Sequence, residues 1–183
     1  QVSLRADYDF LTHVYSRSGL YEALKHEETH RHTRFLTVML LDIDYFKSIN
    51  DNYGHECGDR VLASFARQVQ QVVGEDGMVA RMGGEEFAVV VNSGDAQHGF
   101  ELAERIRSTV ASHPFTWRHQ TLYLTVSIGL GSGKAESWQL TEVFNKLMAE
   151  ADDHLYRSKK AGRNRTSARV ADEQIAAPSG SET

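Results

Sequence analysis

The segment FLTVMLLDID, residues 35–44, constrains the fold more than any other stretch of this chain. It is almost continuously apolar and then ends in two aspartates. Its length and flanks predict a strand buried on both faces. Such a strand needs covering layers on each side, which calls for an α/β or α+β domain. Carboxylates at a buried strand end are costly unless something pairs with them. If strand geometry persists, Asp42 and Asp44 lie on one face.

Residues 16–35 read as an opening helix, amphipathic at first and polar at its end. Residues 45–58 read as a polar loop or short helix. Residues 59–73 are helical, with Val61, Leu62, Phe65, Val69, Val72 and Val73 at helical spacing and Asp59 placed as the cap. MVARM and EFAVVV form a β-hairpin around Gly83–Gly84. A helix over 96–112, an apolar strand over 122–133 and a last helix over 140–161 follow. In that helix Val143, Phe144, Leu147, Met148, Ala151 and Leu155 point inward, and Gly162 stops it. This order predicts one α+β domain with a βαββαβ core, assigned to residues 1–170. The small, polar stretch 171–183 predicts a disordered tail.

The net charge of -5 gives no general reason to expect nucleic-acid binding. Cys57 is the single cysteine, so no intramolecular disulfide forms and a reducing compartment, the cytoplasm, is expected. Lacking a convincing His partner, it reads as a small loop residue. No apolar run of about 20 residues is present, so this stretch contains no spanning helix. The first residue is Gln1 rather than Met. That suggests a piece of a longer protein, with a sensor or an inner-membrane anchor expected upstream. HEETH, residues 26–30, fits a zinc-protease pattern, but its surroundings KHEETHRHTR are almost wholly polar. A solvated helix face is the better reading.

The stretch ARMGGEEFAVVV, residues 80–91, carries the chemistry. Glycine pairs favour tight turns, whereas strands disfavour Glu. A buried strand end and a glycine turn would bring Asp42 and Glu85 together. Carboxylates completed by water and phosphate oxygens suit Mg²⁺. Two readings stay open for the other acids. Asp44 either joins that face or begins a turn. Glu86 either supports the site or is an exposed strand residue, with Arg81 across the turn as its natural ion partner. Lys159, Lys160 and Arg163 are either phosphate contacts or an ordinary solvated helix end.

RMGGEEF resembles the signature of GGDEF domains, the diguanylate cyclases, in the GGEEF form. LDIDYFKSINDNYGHECGD, LYRSKKAGRN and the opening DFLT match other segments of that family in order, across roughly residues 7–168. The resemblance implies an α/β sandwich with a mostly antiparallel, palm-like sheet, similar to nucleotidyl cyclases and polymerase palms. It implies condensation of two GTP into cyclic di-GMP, with Mg²⁺ or Mn²⁺, in a face-to-face homodimer. By motif, Asp42, the Ile43 carbonyl and Glu85 resemble the metal ligands, with Glu85 also helping to activate the 3′-hydroxyl. Lys47, Lys159 and Arg163 resemble phosphate contacts, and Asn50 and Asp59 the guanine-reading pair. Gly83, Gly84 and Glu86 support the site. The family's upstream RxxD product site is replaced by GEDG, with Gly74 and Gly77 where its arginine and aspartate would stand. Only Arg105 remains as a candidate secondary contact. The alternatives are an inactive GTP-binding or partner-binding module of the same family, and a zinc hydrolase.

Overall fold

The computed structural model describes residues 7–30, 32–75 and 77–169; Asp76 and the segment 171–183 lie outside them. In chain order, the first half contains β1 (Tyr15–Ser16), α1 (Arg17–Glu27), β2 (Thr33–Ile43), α2 (Phe46–Tyr53) and α3 (His55–Val73). The hairpin of β3 (Gly77–Gly83) and β4 (Glu86–Asn92) leads into α4 (Ala96–Ser112). A small hairpin follows, β5 (Phe115–Trp117) with β6 (Gln120–Leu122). The chain then runs through β7 (Val126–Glu136), α5 (Leu140–Lys160) and β8 (Thr166–Ser167). The main sheet has six strands in the order β1-β3-β4-β2-β7-β8. Its inner pairs are antiparallel, and only the edge pairs β1/β3 and β7/β8 are parallel. This is the expected βαββαβ core with two short edge strands and a hairpin added.

The layers follow from the alternation of β2. Met39, Leu41 and Ile43 share one core with Phe46 and Ile49 of α2, Val61, Phe65 and Val69 of α3 and Ile106 of α4. Leu36, Val38 and Leu40 share the other with Leu20 and Leu24 of α1 and Phe144, Leu147 and Leu155 of α5. Both faces of the strand are therefore buried, as its apolar run requires. Asp42 has the parity of Leu40, so it belongs to the α5 side. On β7, Gly129 lets α5 approach closely: a Cβ there would stand 2.1 Å from the Leu155 amide nitrogen. The close approach brings the last turn of α5 over the end of β2.

Several boundaries differ from those expected. The first helix ends at Glu27, and β2 begins at Thr33, within the stretch read as helix. The short helix α2 is present, but α3 starts at His55, with Gly54 as its cap residue and no side-chain cap bond. Asp59 therefore lies inside α3 and does not cap it. Cys57, read as a loop residue, is buried in the first turn of that helix. The strand read from residue 122 begins at Val126, because Leu122 pairs in the small hairpin. β2 ends at Ile43, so Asp44 lies one residue beyond the strand, yet its carboxylate stays on the side of Asp42, where it bonds Ser127, the residue opposite Asp42.

The opening motif pins the β3–β4 hairpin from outside. Asp9 accepts hydrogen bonds from the Thr12 amide at 2.9 Å and the Thr12 hydroxyl at 2.7 Å, and it pairs with Arg81 at 3.3 Å. Burial works against the ionised Asp9, but the Thr12 bonds and the Arg81 charge outweigh it and hold its carboxyl below the usual range. Arg81 also donates from Nε to the Gly84 carbonyl at 2.9 Å. One guanidinium thus joins the start of the domain to the turn.

Candidate active site

Asp42 stands at the end of β2, opposite Glu86 of β4 on one side and Ser127 of β7 on the other. Its residue is 8% exposed, and Lys159 from the last turn of α5 donates to its carboxylate at 2.5 Å. Burial pushes the Glu86 carboxyl up, and the negative charges of Asp42 and Asp152 add to this; Lys159 and Arg17 pull it back in part. Here the expected Glu86–Arg81 ion pair fails. A register shift between Arg81 and Gly83 sets Arg81 opposite Phe87, and Gly83 opposite Glu86. Arg81 spends its charge on Asp9 instead. Glu86 therefore belongs to a cluster of acids rather than to a local pair.

The same shift moves the turn by one residue, so that Gly84 and Glu85 form it. Gly84 has φ +43, which suits glycine, and Glu85 beside it is half-buried. Gly83 is different. Its φ is not positive, and a Cβ added there would meet nothing within 4 Å. Neither backbone conformation nor packing demands a glycine at Gly83. Bare backbone facing open space is what a closely approaching ligand would need.

Asp44 is the residue whose role the sequence left undecided. It is 5% exposed and accepts from the Thr125 hydroxyl at 2.7 Å, the Ser127 hydroxyl at 2.6 Å and the Asn164 amide at 3.0 Å. Its own amide donates to the Thr125 carbonyl at 2.9 Å. The carboxylate thus sews the loop after α5 onto the sheet. The signal was present in LTVSIG, where two hydroxyls two residues apart enter an apolar strand.

The expected phosphate contacts occupy different settings. Lys159 is held by Asp42, whereas Lys47 on α2 is largely exposed and pairs with Asp51 one turn on, at 2.9 Å. Arg163 has φ +66 and lays its guanidinium over the Tyr45 ring, 4.8 Å from the centroid. Asn50 and Asp59 sit on adjoining helices. A Cβ on Gly58 would stand 1.9 Å from Asn50 Oδ1, so the Asn50 side chain packs against the residue before Asp59. Asp59 itself is exposed.

Gly74 ends α3 with φ +75, and Gly77 fits between Val73 and Val91, where a Cβ would come within 2.4 and 2.6 Å of their methyls. Both glycines have structural reasons, and neither offers a side chain to a ligand. Arg105 is exposed on α4. His26 and His30 are exposed, with their rings edge to face at 5.5 Å. Among the described residues no three His, Cys, Asp or Glu side chains converge as a preformed metal cage. The expected ligand set is smaller: two carboxylates and one carbonyl, to be completed by ligand oxygens. Ile43 buries its side chain in the core and is the last residue of β2, paired with Val126. Carboxylate and carbonyl oxygens of this kind suit a hard cation.

The family described as "Diguanylate cyclase, GGDEF domain" matches residues 6–165. The chain is 68% identical over 167 residues to the probable diguanylate cyclase DgcF of Escherichia coli K12, covering 91% of this chain and 53% of that protein. It thus spans about half the length of that relative. Among solved structures, the coiled coil and GGDEF domain of DgcB from Caulobacter crescentus, in complex with c-di-GMP, is similar with a TM-score of 0.77 and 31% identity, over 92% of this chain and 88% of that one. The diguanylate cyclase SiaD of Pseudomonas aeruginosa, in complex with its activator SiaC, is similar with a TM-score of 0.79 and 29% identity, over 92% of this chain and 64% of that one. Among the described residues no helix is long and apolar enough to cross a membrane.

The Asp44 network makes a direct prediction. Asp44→Ala strands two hydroxyls and one amide, and should destabilise the fold by about 3 kcal/mol or more. Asp44→Asn keeps part of the network and should cost about 1–2 kcal/mol. Urea unfolding measures both, and a loss below about 1 kcal/mol in Asp44→Ala would refute the network's role.

Proposed function

The chain belongs to the GGDEF family of diguanylate cyclases, and from that footing we propose that it condenses two GTP into cyclic di-GMP with release of two pyrophosphates. The observation that carries this reading is the acidic end of β2. There Asp42 and Glu86 meet Lys159, beside a turn whose glycines leave open space. In each of two steps the 3′-oxygen of one nucleotide attacks the α-phosphorus of the other. The 3′-hydroxyl loses its proton, the new P–O bond forms, and the bond to pyrophosphate breaks.

A divalent metal, Mg²⁺ or Mn²⁺ in this reading, would be held by Asp42, the Ile43 carbonyl and Glu85, and would stabilise phosphate charge and ease loss of the hydroxyl proton. The chain's own residues do the rest by positioning and charge. Lys47, Lys159 and Arg163 take phosphate oxygens. Guanine donates N1–H and N2–H₂ to Asp59, while Asn50 both donates and accepts. Lys159 exchanges Asp42 for a phosphate oxygen when nucleotide arrives, which frees Asp42 to bind a cation. Glu85 on the turn takes the hydroxyl proton in this reading, and Glu86 adds to the negative field that draws the cation. One site holds one GTP, so two chains face each other for the reaction. The domain works in the cytoplasm, where GTP is supplied. Sensing or inner-membrane attachment belongs to the wider protein.

Incubation with GTP and Mg²⁺, with the product identified by mass, tests the activity. Asp42→Asn and Glu85→Gln should each lower turnover by about 10²-fold or more. At low concentration the initial rate should rise with about the square of protein concentration. Near-normal turnover in either folded variant would remove that ligand assignment. Strict proportionality to enzyme, with monomers seen by light scattering, would remove the dimer.

Lys159→Met removes the resident counter-ion of Asp42. Calorimetric titration of Mn²⁺ into nucleotide-free protein should show about tenfold tighter binding, the equivalent of about 1.4 kcal/mol. Affinity for a non-hydrolysable GTP analogue should fall in the same variant. Unchanged Mn²⁺ binding would refute the exchange.

We also read the enzyme as free of strong product inhibition through the upstream site, since Gly74 and Gly77 supply no groups to grip a nucleotide. A single exposed cation such as Arg105 should contribute little. Cyclic di-GMP should therefore bind weakly when the analogue fills the active site. Tight binding under those conditions that vanishes in Arg105→Ala would overturn this.

A further inference from the structure

We propose that Tyr45 is a positioning residue for Arg163, holding its guanidinium so that the N–H edge faces the phosphates of bound nucleotide. The proposal rests on the reading of Arg163 as a phosphate contact. Tyr45 is 67% exposed, so it is not there to fill the core. It precedes α2 with φ +58 and makes no side-chain cap bond, so helix capping does not explain it either. A left-handed backbone on a bulky residue costs free energy, and something must hold it.

The neighbouring contacts show what holds it. Asp44 accepts from the Asn164 amide, while Tyr45 lies under Arg163 with the guanidinium carbon 4.8 Å from the ring centroid. Adjacent residues 44 and 45 thus hold adjacent residues 163 and 164, one through the main chain and one through a side chain. Arg163 and Asn164 are themselves left-handed, at φ +66 and +47, and the Arg107 side chain donates to Asn164 Oδ1 at 3.0 Å. The loop is thus tied on both sides. Among the described residues no carboxylate pairs with Arg163. A stacked guanidinium offers its face to the ring and keeps its planar fork of donors free, the geometry a phosphate accepts. A carboxylate partner would use up that fork.

The test is calorimetric titration of a non-hydrolysable GTP analogue with Mg²⁺ into Tyr45→Leu, Tyr45→Phe, Arg163→Ala and the Tyr45→Leu/Arg163→Ala double variant. Tyr45→Leu should weaken binding about threefold to tenfold, in line with a partly exposed cation–π contact and the lost preorganisation. Tyr45→Phe keeps the ring and should stay within about twofold of the parent. The double variant should be no weaker than Arg163→Ala by more than about twofold, because the ring acts through the arginine. In turnover, Tyr45→Leu should raise KM more than it lowers kcat. If Arg163→Ala loses affinity while Tyr45→Leu does not, the positioning role falls and the phosphate role stands. If Phe is as weak as Leu, or the two losses add, the ring is not the agent and the proposal is overturned. If Arg163→Ala binds normally, both the phosphate role and this proposal are removed.

Discussion

The carboxylate of Asp44 is the contact on which the working end of the molecule depends. Three segments distant in sequence meet there: the exit of β2, the entry of β7 and the loop after α5. A buried carboxylate with fewer partners would be a liability, and with three donors it becomes a fixed junction. Lys159 lies just before this loop, Arg163 within it, and Asp42 two residues before the junction. The relative placement of cations and acids therefore follows from one buried charge rather than from the loops' own preferences. Ser158 reinforces the junction through its hydroxyl bond to the Ile128 carbonyl at 2.8 Å, and Arg163 through its amide bond to the Ser158 carbonyl at 2.9 Å.

Partners rather than strand face distinguish the two acids. Ile43 buries its side chain under α2 and α3, while Asp42 faces the α5 side, where the last helical turn delivers Lys159. β2 breaks off after Ile43, yet Asp44 still bonds Ser127, the residue opposite Asp42, so the two acids differ in their partners: hydroxyls and an amide for Asp44, a lysine for Asp42. The left-handed Tyr45 is the conformational cost of that break, and its stack with Arg163 puts the cost to use.

Much of this was legible from periodicity. The apolar run of β2, the 3.6-residue spacing of α3 and α5 and the glycine hairpin all signalled their elements, because each buries a long regular face. The failures have a common physical source. Asp59 looked like a cap because the stretch before it is polar and contains glycine, yet α3 begins four residues earlier at His55, after Gly54. The edge strands β1 and β8 are two residues each, too short to show a period. The partner of Arg81 was misassigned because a nearby Glu86 was visible and Asp9, 72 positions away, was not. Local sequence predicts local geometry well; it does not say which of two carboxylates a guanidinium reaches when the competing one is distant. At the site itself, Asp42 and the glycine turn were readable as misplaced charge and unneeded flexibility. The Lys159–Asp42 contact was not, because it depends on how closely α5 settles on β7.

In the proposed function that contact would also join nucleotide and cation binding. A lysine against a buried carboxylate gives Asp42 a counter-ion within the chain, while burial, and after it the charges of Asp42 and Asp152, push the Glu86 carboxyl up. Stability is served by leaving the pair intact, whereas the proposed reaction would have both members change partners. Breaking it one-sidedly is unfavourable: a phosphate that drew Lys159 away would leave Asp42 beside Glu86 with its compensation removed. Supplying a cation and an anion together avoids that penalty, since each member of the pair receives a new partner as it gives up the old one. Thermodynamic reciprocity then requires that whatever nucleotide adds to cation affinity, the cation adds to nucleotide affinity. In the proposed function the ion pair at the end of β2 would thereby favour the metal–nucleotide complex over either component alone.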